Sequence, residues 1–416
     1  MKNRRLAKIY YADLWGLREE KYKYLFGNDV RTTDWQELKP IAPYYFFVPK
    51  DFALQSEYEK FWKVTEIFKE SQMGLMTGQD EFFIDANPQA LKARILSVFN
   101  KSLNDENLKT LYNLKSQAGE KTIRARNSTD FNQNLIHLYC YRPFDTRYVY
   151  AENKFLWRSV EAIKKHLVSK NIALVTTRIL AKLPFNHVFV AEHVGDNTLI
   201  SNQTKERNYY FPLYLYLDEP EGRLFDEKEY REERISNFTP EFLQALKASL
   251  SLEPTPEEIF YYIYAVLYSP TYRKRYEEFL KIDFPRVPLP SNYGVFKELS
   301  TLGEQLVELH LLKAPALDET EIGFPKGGSN RVEKISYDEG GERVFVNKGQ
   351  FFEGISKEVW EYRIGAYQVM GKYLKDRKKR KLPLDEIGHY MKMAKAIRLT
   401  IKLQGKIEEV YRKIKV

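Results

Sequence analysis

Three prolines within six residues (Pro285, Pro288 and Pro290) close a block, 256–290, that constrains the fold more than any other part of the chain. Thr255 stands at an N-cap, Pro256 at the first helical position and Glu258 three residues after the cap, a capping-box start. Behind it Ile259, Ile263, Val266 and Leu267 recur at helical spacing and form an apolar stripe that has to be covered. Ser269 and Pro270 restart the pattern, predicting a second helix that turns Arg273, Lys274 and Arg275 to solvent. Proline fixes φ and has no N–H, so the chain from 285 to 290 must run extended. The block reads as a helix pair followed by a rigid strap.

Around that block the pattern predicts an α+β fold: a mixed, β-rich lobe with flanking helices and a C-terminal helical segment. Residues 1–50 hold a strand-like run from Lys8 to Tyr11, a charged helix from Arg18 to Leu25 and an aromatic strand from Tyr44 to Val48. Phe61, Val64, Ile67 and Phe68 predict a helix over 57–70, Gly74 and Gly78 bracket a turn, and Pro88 starts a helix through Phe99. The stretch 135–217 is the most β-like, with runs Tyr148–Tyr150, Ala173–Thr177, His187–Val190 and Phe211–Leu217. A charged loop is expected over 218–235, helices from Pro240 to Leu312 and a linker over 315–330. Turns at Gly340-Gly341 and Lys348-Gly349 separate three short strands. The tail predicts a helix near 357–375 and a long helix from Asp385, whose seam (Ile387, Tyr390, Ala394, Ile397, Ile401) needs a partner helix.

Charge is segregated along the chain. Residues 121–210 carry 14 Lys and Arg against 7 Asp and Glu, and residues 356–416 carry 17 against 7. With a net charge of +9 overall, the intervening 211–355 comes out acidic. Two basic segments flanking an acidic one are the footprint of a polyanion binder. No apolar run approaches the length of a membrane span and no signal peptide is visible, so a soluble cytoplasmic protein is expected. The single cysteine, Cys140, lies in an apolar stretch and reads as a buried thiol.

The sequence carries no recognisable catalytic constellation. The nearest approach to the acidic-Pro-Pro-aromatic tetrad of amine methyl transfer, Ser269-Pro270-Thr271-Tyr272, lacks the second proline and opens a helix. Gly74–Gly78 has no following Lys-Ser/Thr, the histidines include no HExxH, and no carboxylate spacing singles out an acid/base pair. Binding candidates are more numerous. In Tyr141-Arg142-Pro143-Phe144-Asp145-Thr146-Arg147-Tyr148, Asp145 is placed to hold Arg142 or Arg147 and so fix a turn. Arg178, Lys182, Asn186, Asn202, Gln203, Lys205 and Arg207 lie between β-runs, where Asn and Gln suit adenine edges and Lys and Arg suit phosphates.

Four segments carry a family resemblance: the 256–290 block, Tyr141–Tyr148, Val359-Trp360-Glu361-Tyr362-Arg363-Ile364-Gly365-Ala366-Tyr367-Gln368-Val369 with Leu374–Lys378, and Gly74-Leu75-Met76-Thr77-Gly78-Gln79-Asp80. Together they resemble the C-terminal specificity region of type ISP restriction-modification enzymes and related adenine-specific DNA methyltransferases. Two positions depart from the family pattern: Ala366 stands for a second glycine and Gln79 for an arginine. The resemblance implies a docking region over 1–115 that follows a methyltransferase domain, a DNA target-recognition domain over 116–343 and a basic helical region over 344–416. It implies double-stranded DNA as partner, with Arg142, Arg147 or Arg158 reaching phosphate. A methyltransferase/nuclease partner would hold the chemistry and the S-adenosylmethionine, leaving this chain without catalysis or cofactor of its own, as a truncated product or one half of a split enzyme. The rival expectation is a protein-interaction scaffold docking through its acidic helices.

Overall fold

The computed structural model describes residues 7–167, 170–182, 184–217 and 234–414, in two compact units, 1–56 and 57–416. Most of the charged loop expected over 218–235 lies outside the described residues.

In the first unit, strands β1 (Ile9–Tyr11) and β2 (Gln36–Leu38) pair antiparallel, and helix α1 (Arg18–Gly27) lies between them in the chain. This unit buries almost nothing: α1 has no buried side chain, and Trp15, Phe26 and Val30 are each at least 80% exposed. The aromatic strand expected at Tyr44–Val48 is a turn instead. Prolines 43 and 49 bracket the run and remove ladder donors, and Tyr45 takes a left-handed φ of 47°.

The second unit is an α+β assembly of small antiparallel sheets wrapped by helices. One sheet has four strands in the order β4 (Gln72–Met73), β10 (Asn208–Pro212), β8 (Ala173–Thr177), β9 (Val188–Ala191). A second has β5 (Ile84–Asp85), β7 (Asp145–Tyr150) and β6 (Ile136–Arg142). They meet where Cys140 N donates to Val194 O (2.9 Å) and Asp196 N donates to Cys140 O (3.0 Å). Cys140 is held in this joint and burial pushes its thiol up to about 11. The predicted helix from Pro88 is present (α2, Pro88–Phe99), capped by Asn87. Its Leu91, Ile95 and Val98 pack with Phe82, Phe83, Ile123, Tyr150 and Phe155, so one core continues across the boundary drawn at 115/116.

The helix predicted over 57–70 breaks into Gln55–Tyr58 and Val64–Ile67 around strand β3 (Trp62–Lys63). Tertiary pairing overrides the local period, because β3 pairs with β13 (Arg286–Val287), the middle of the proline strap. The strap's carbonyls accept from side-chain hydroxyls: Tyr272 to Arg286 O (2.6 Å), Tyr262 to Pro288 O (2.9 Å) and Ser249 to Pro290 O (2.6 Å). A proline-rich strand has few amides to share, so tyrosines supply the bonds that a partner strand otherwise makes. The capping box before helix α3 (Pro256–Tyr268) forms as read, with Glu258 N donating to Thr255 Oγ1 at 3.2 Å. In the following helix α4 (Pro270–Arg275), Lys274 and Arg275 are exposed, but Arg273 turns inward. Its guanidinium covers the Tyr268 ring and donates to Leu267 O at 2.7 Å.

Helix α5 (Tyr293–His310) packs so closely on α3 that a Cβ on Gly303 would lie 1.9 Å from Tyr261 O. The three strands around Gly340 and Lys348 are present as one sheet, Ser336–Asp338, Arg343–Phe345 and Phe351–Glu353. The stretch expected as a linker, 315–330, is instead fastened down, with Leu317 and Ile322 buried and Gly323 bonded to Glu353. The helix expected near 357–375 is split by a tight hairpin, β17 (Arg363–Ile364) and β18 (Tyr367–Gln368), into α6 (Lys357–Glu361) and α7 (Val369–Lys375). The long helix is α8 (Leu384–Tyr411), and its seam residues Ile387, Tyr390, Ala394 and Ile397 are buried. Helix α5 is its partner, joined where His310 Nε2 meets Thr400 Oγ1 at 3.0 Å. No helix among the described residues is long and apolar enough to cross a membrane.

Candidate nucleic-acid interface

Strand register gathers several loops at one end of the four-stranded sheet. Thr177, the last residue of β8, faces Asn208, the first of β10, while Thr176 faces Val188, the first of β9. Tyr209 faces Met73 on β4, so the 74–79 segment leaves from the same end. The loops 178–187 and 201–207 and the 74–79 segment therefore emerge side by side, at inter-strand spacings of about 5 Å.

Glu206 clamps the two longer loops together. Its buried carboxylate accepts from Ala181 N (2.6 Å) in one loop, lies 2.9 Å from His187 Nε2 and accepts from the Ser201 hydroxyl in its own. Burial raises its pKa, but the hydrogen bonds from His187 and Ser201 outweigh this and hold the group down to about 2. His187 thus serves as Glu206's partner. No cluster of metal-ligating side chains occurs among the described residues.

Hairpin β17–β18 anchors the same loops from behind. Gly365 N donates to Asn186 O (2.7 Å), Ala366 N to Ile200 O (2.9 Å) and Tyr367 Oη to Thr198 O (2.9 Å). Tyr367 is buried at this anchor, while Trp360 is half-buried and stacks on Tyr337.

The Tyr141–Tyr148 motif forms the turn between β6 and β7, with Phe144 at φ 60°. Asp145 is buried and binds two arginines, Arg147 at 2.7 Å and Arg377 at 3.0 Å. Burial raises its pKa, yet the charges of Arg147 and Arg377 prevail and keep the carboxyl well below the usual range. Arg142 turns the other way, to Asp196 at 3.3 Å, and the Tyr141 ring is sandwiched between the guanidiniums of Arg142 and Arg147 at 3.9 and 4.1 Å. Arg377 has no sequence signal pointing to Asp145, because 232 positions separate them.

Of the ten candidates, Arg142, Arg147 and Asn186 are engaged internally, the last through Arg273 Nη1 at 3.2 Å. Arg158, Lys182, Asn202, Gln203 and Lys205 are exposed and Arg207 is half-buried. Arg178 is exposed and pairs with Asp283 at 3.2 Å. The structure thus brings the surface candidates from 178 to 207 onto one loop cluster and places Arg158 beside it, bridged to Met76. Ser269–Tyr272 is a helix cap: Ser269 Oγ accepts from Tyr272 N (3.2 Å) and donates to Glu408 (3.1 Å).

Solved structures with the same fold include a cryo-EM structure of a DrdV–DNA complex, with 19% identity, a TM-score of 0.74 and coverage of 97% of this chain and 43% of that one. A nuclease-deletion mutant of the Type ISP restriction-modification enzyme LlaGI, in complex with a DNA substrate mimic, matches at 18% identity and TM-score 0.68, covering 96% and 33%. The ATP-dependent Type ISP enzyme LlaBIII bound to DNA matches at 18% and 0.72, covering 93% and 27%. The chain spans less than half the length of each of these proteins, and at such identities the likeness is one of fold. No curated protein sequence matches it. The family model for the Type ISP C-terminal specificity domain matches residues 66–403, and the chain belongs to that family.

Proposed function

We propose that this chain recognises a DNA target sequence for a restriction-modification methyltransferase, reading duplex DNA with the loop cluster at the end of the four-stranded sheet. The observation that carries this is the clamped pair of loops: Glu206 rigidly holds two segments whose tips expose Lys182, Asn202, Gln203 and Lys205. A reading surface needs side chains held in fixed register, with cations for phosphate and amides for base edges. In this reading Arg178, Lys182, Lys205 and Arg207 track the backbone, Asn202 and Gln203 face bases, and Arg142, Arg147 and Asn186 hold the scaffold. Methyl transfer, with its S-adenosylmethionine, belongs to a catalytic partner, and the complex is cytoplasmic.

Binding titrations on matched and mismatched duplexes test the assignment. Lys182→Ala is expected to weaken binding to all sequences and to flatten the log–log salt dependence by about 0.9. Asn202→Ala or Gln203→Ala should relax preference at one base pair, by roughly 1–3 kcal/mol of discrimination. A binding constant indifferent to salt favours the scaffold reading instead, in which the acidic 211–355 segment docks a protein.

The first unit supplies the partner side of the proposal. A helix with no buried residue, bearing exposed Phe26 and flanked by exposed Trp15 and Val30, is a docking face for the catalytic part. The purified chain is expected to bind a hydrophobic dye or self-associate, and a chain truncated before residue 57 is expected to lose that property. Equal dye binding by both would remove the docking role.

A further inference from the structure

We propose that Trp157 is a stacking platform for one unpaired base of DNA, with Arg158 on the adjoining phosphate; the proposal rests on the DNA-reading assignment above. Trp157 follows Phe155 and Leu156, both fully buried, yet its own side chain is 43% exposed. A large aromatic turned outward from a well-packed turn contributes little to the core.

Its mounting is rigid. Trp157 N donates to Thr77 O (3.3 Å), Arg158 N to Met76 O (3.0 Å) and Met76 N to Arg158 O (3.3 Å), so the dipeptide is bridged to the 76–77 backbone. Gly78, at φ +73°, completes the fit, since a Cβ there would lie 3.0 Å from Trp157 Cβ and 2.7 Å from Ala118 Cβ. A pre-ordered ring loses little conformational entropy when a base lies on it.

Position and charge identify the ligand. Leu75 N bonds to Gly195 O and the next amide, Met76 N, to Arg158 O. Consecutive amides of an extended segment point to opposite sides, so Trp157-Arg158 lies across the 74–77 segment from the 195–197 turn. That offset is roughly 10 Å, two strand spacings, or about three nucleotide steps along one strand. Arg158 Nη1 rests 3.8 Å from Met73 Sδ, a weak acceptor, and no carboxylate among the described residues pairs with it. An exposed cation beside an exposed ring, in a segment with 14 basic against 7 acidic residues, suits a phosphate next to a base. Stacking is indifferent to base identity, so this pair adds affinity for displaced bases and no sequence preference.

The test uses the full chain and two duplexes of one sequence, fully paired or carrying one unpaired thymidine. The wild-type chain is expected to bind the bulged duplex roughly 5- to 100-fold more tightly. Trp157→Ala should abolish that preference while leaving affinity for the paired duplex unchanged; Trp157→Phe should retain most of it. Arg158→Ala should reduce the salt slope on the bulged duplex by about 0.9. Equal wild-type affinity for the two duplexes, or a preference that survives Trp157→Ala, overturns the platform and leaves the loop-cluster reading standing. Binding of neither duplex overturns both.

Discussion

Replacing Asp145 by Ala is expected to destabilise the 57–416 unit by about 3–5 kcal/mol, because it removes the buried carboxylate that two guanidiniums share. Arg377 is 5% exposed and Arg147 19%; both share this carboxylate, and without it Arg377 keeps Glu386 at 3.1 Å and Arg147 only Asp376 at 4.0 Å. Asp145→Asn keeps the shape but not the charge, and should cost nearly as much. Removing Glu106, 82% exposed and paired among the described residues with Lys109, should by contrast cost no more than about 0.5 kcal/mol. Urea unfolding of the three variants checks the order; an Asp145→Asn chain as stable as the Glu106 variant would show that the pair network is dispensable. Acid should have the same effect as the mutation. Asp145 and Glu206 have pKa values depressed on folding, so their contribution is complete above about pH 4–5 and is lost as pH falls through the native values. His310 acts earlier. Burial, aided by Arg273, pushes its pKa down to about 3, so the unfolded chain, with an ordinary histidine near 6.5, takes up protons first. Stability should therefore begin to decline below about pH 6.5 and fall steeply below about 4. A flat profile between pH 7.5 and 5.5 would exclude the His310 part.

Local chemistry was legible where it is decisive. The capping box at Thr255, the Asn87-Pro88 helix start, the buried run of β8 and the two Gly-marked turns near 340 and 349 each state their structure within a few residues. What escaped depends on partners far away in the chain. The aromatic run at 44–48 has strand propensity but Pro43 and Pro49 at its borders. The helical period near 357–375 hides a hairpin whose reason is the loops it supports, about 170 positions earlier. The pairing of Asp145 with Arg147, two residues apart, was legible, whereas Arg142 turns to Asp196, a partner invisible until the fold brings it close. Lys182, Asn202, Gln203 and Lys205, chosen by residue type between β-runs, are exposed on loops that the sheet register sets side by side. Trp157 carried no signal, since only its exposure distinguishes it from the core aromatics around it.

Gly365→Ala should couple stability to recognition. Gly365 sits at φ +57°, and a Cβ there would lie 1.8 Å from Ile200 O and 2.7 Å from its carbonyl carbon. Backbone atoms cannot rotate away, so either the hairpin lifts or the 198–201 turn moves. The left-handed conformation adds roughly 1–2 kcal/mol for an L-residue, and overpacking a further 1–3, a loss of about 2–5 in all. The neighbouring position behaves otherwise. Ala366 has no left-handed φ and is half-buried, which explains why a glycine usual in the family can be absent here. Ala366→Gly should therefore change stability by no more than about 1 kcal/mol. The two variants separate the hairpin's fold from its support of the reading loops. Gly365 N holds Asn186 O and Ala366 N holds Ile200 O, so displacing the hairpin releases both loops at once. In the proposed mechanism a Gly365→Ala chain that still folds should bind matched and mismatched duplexes nearly alike, whereas Ala366→Gly should keep the wild-type ratio. If Gly365→Ala retained both its unfolding midpoint and its discrimination, the hairpin would not be what holds the reading loops in register.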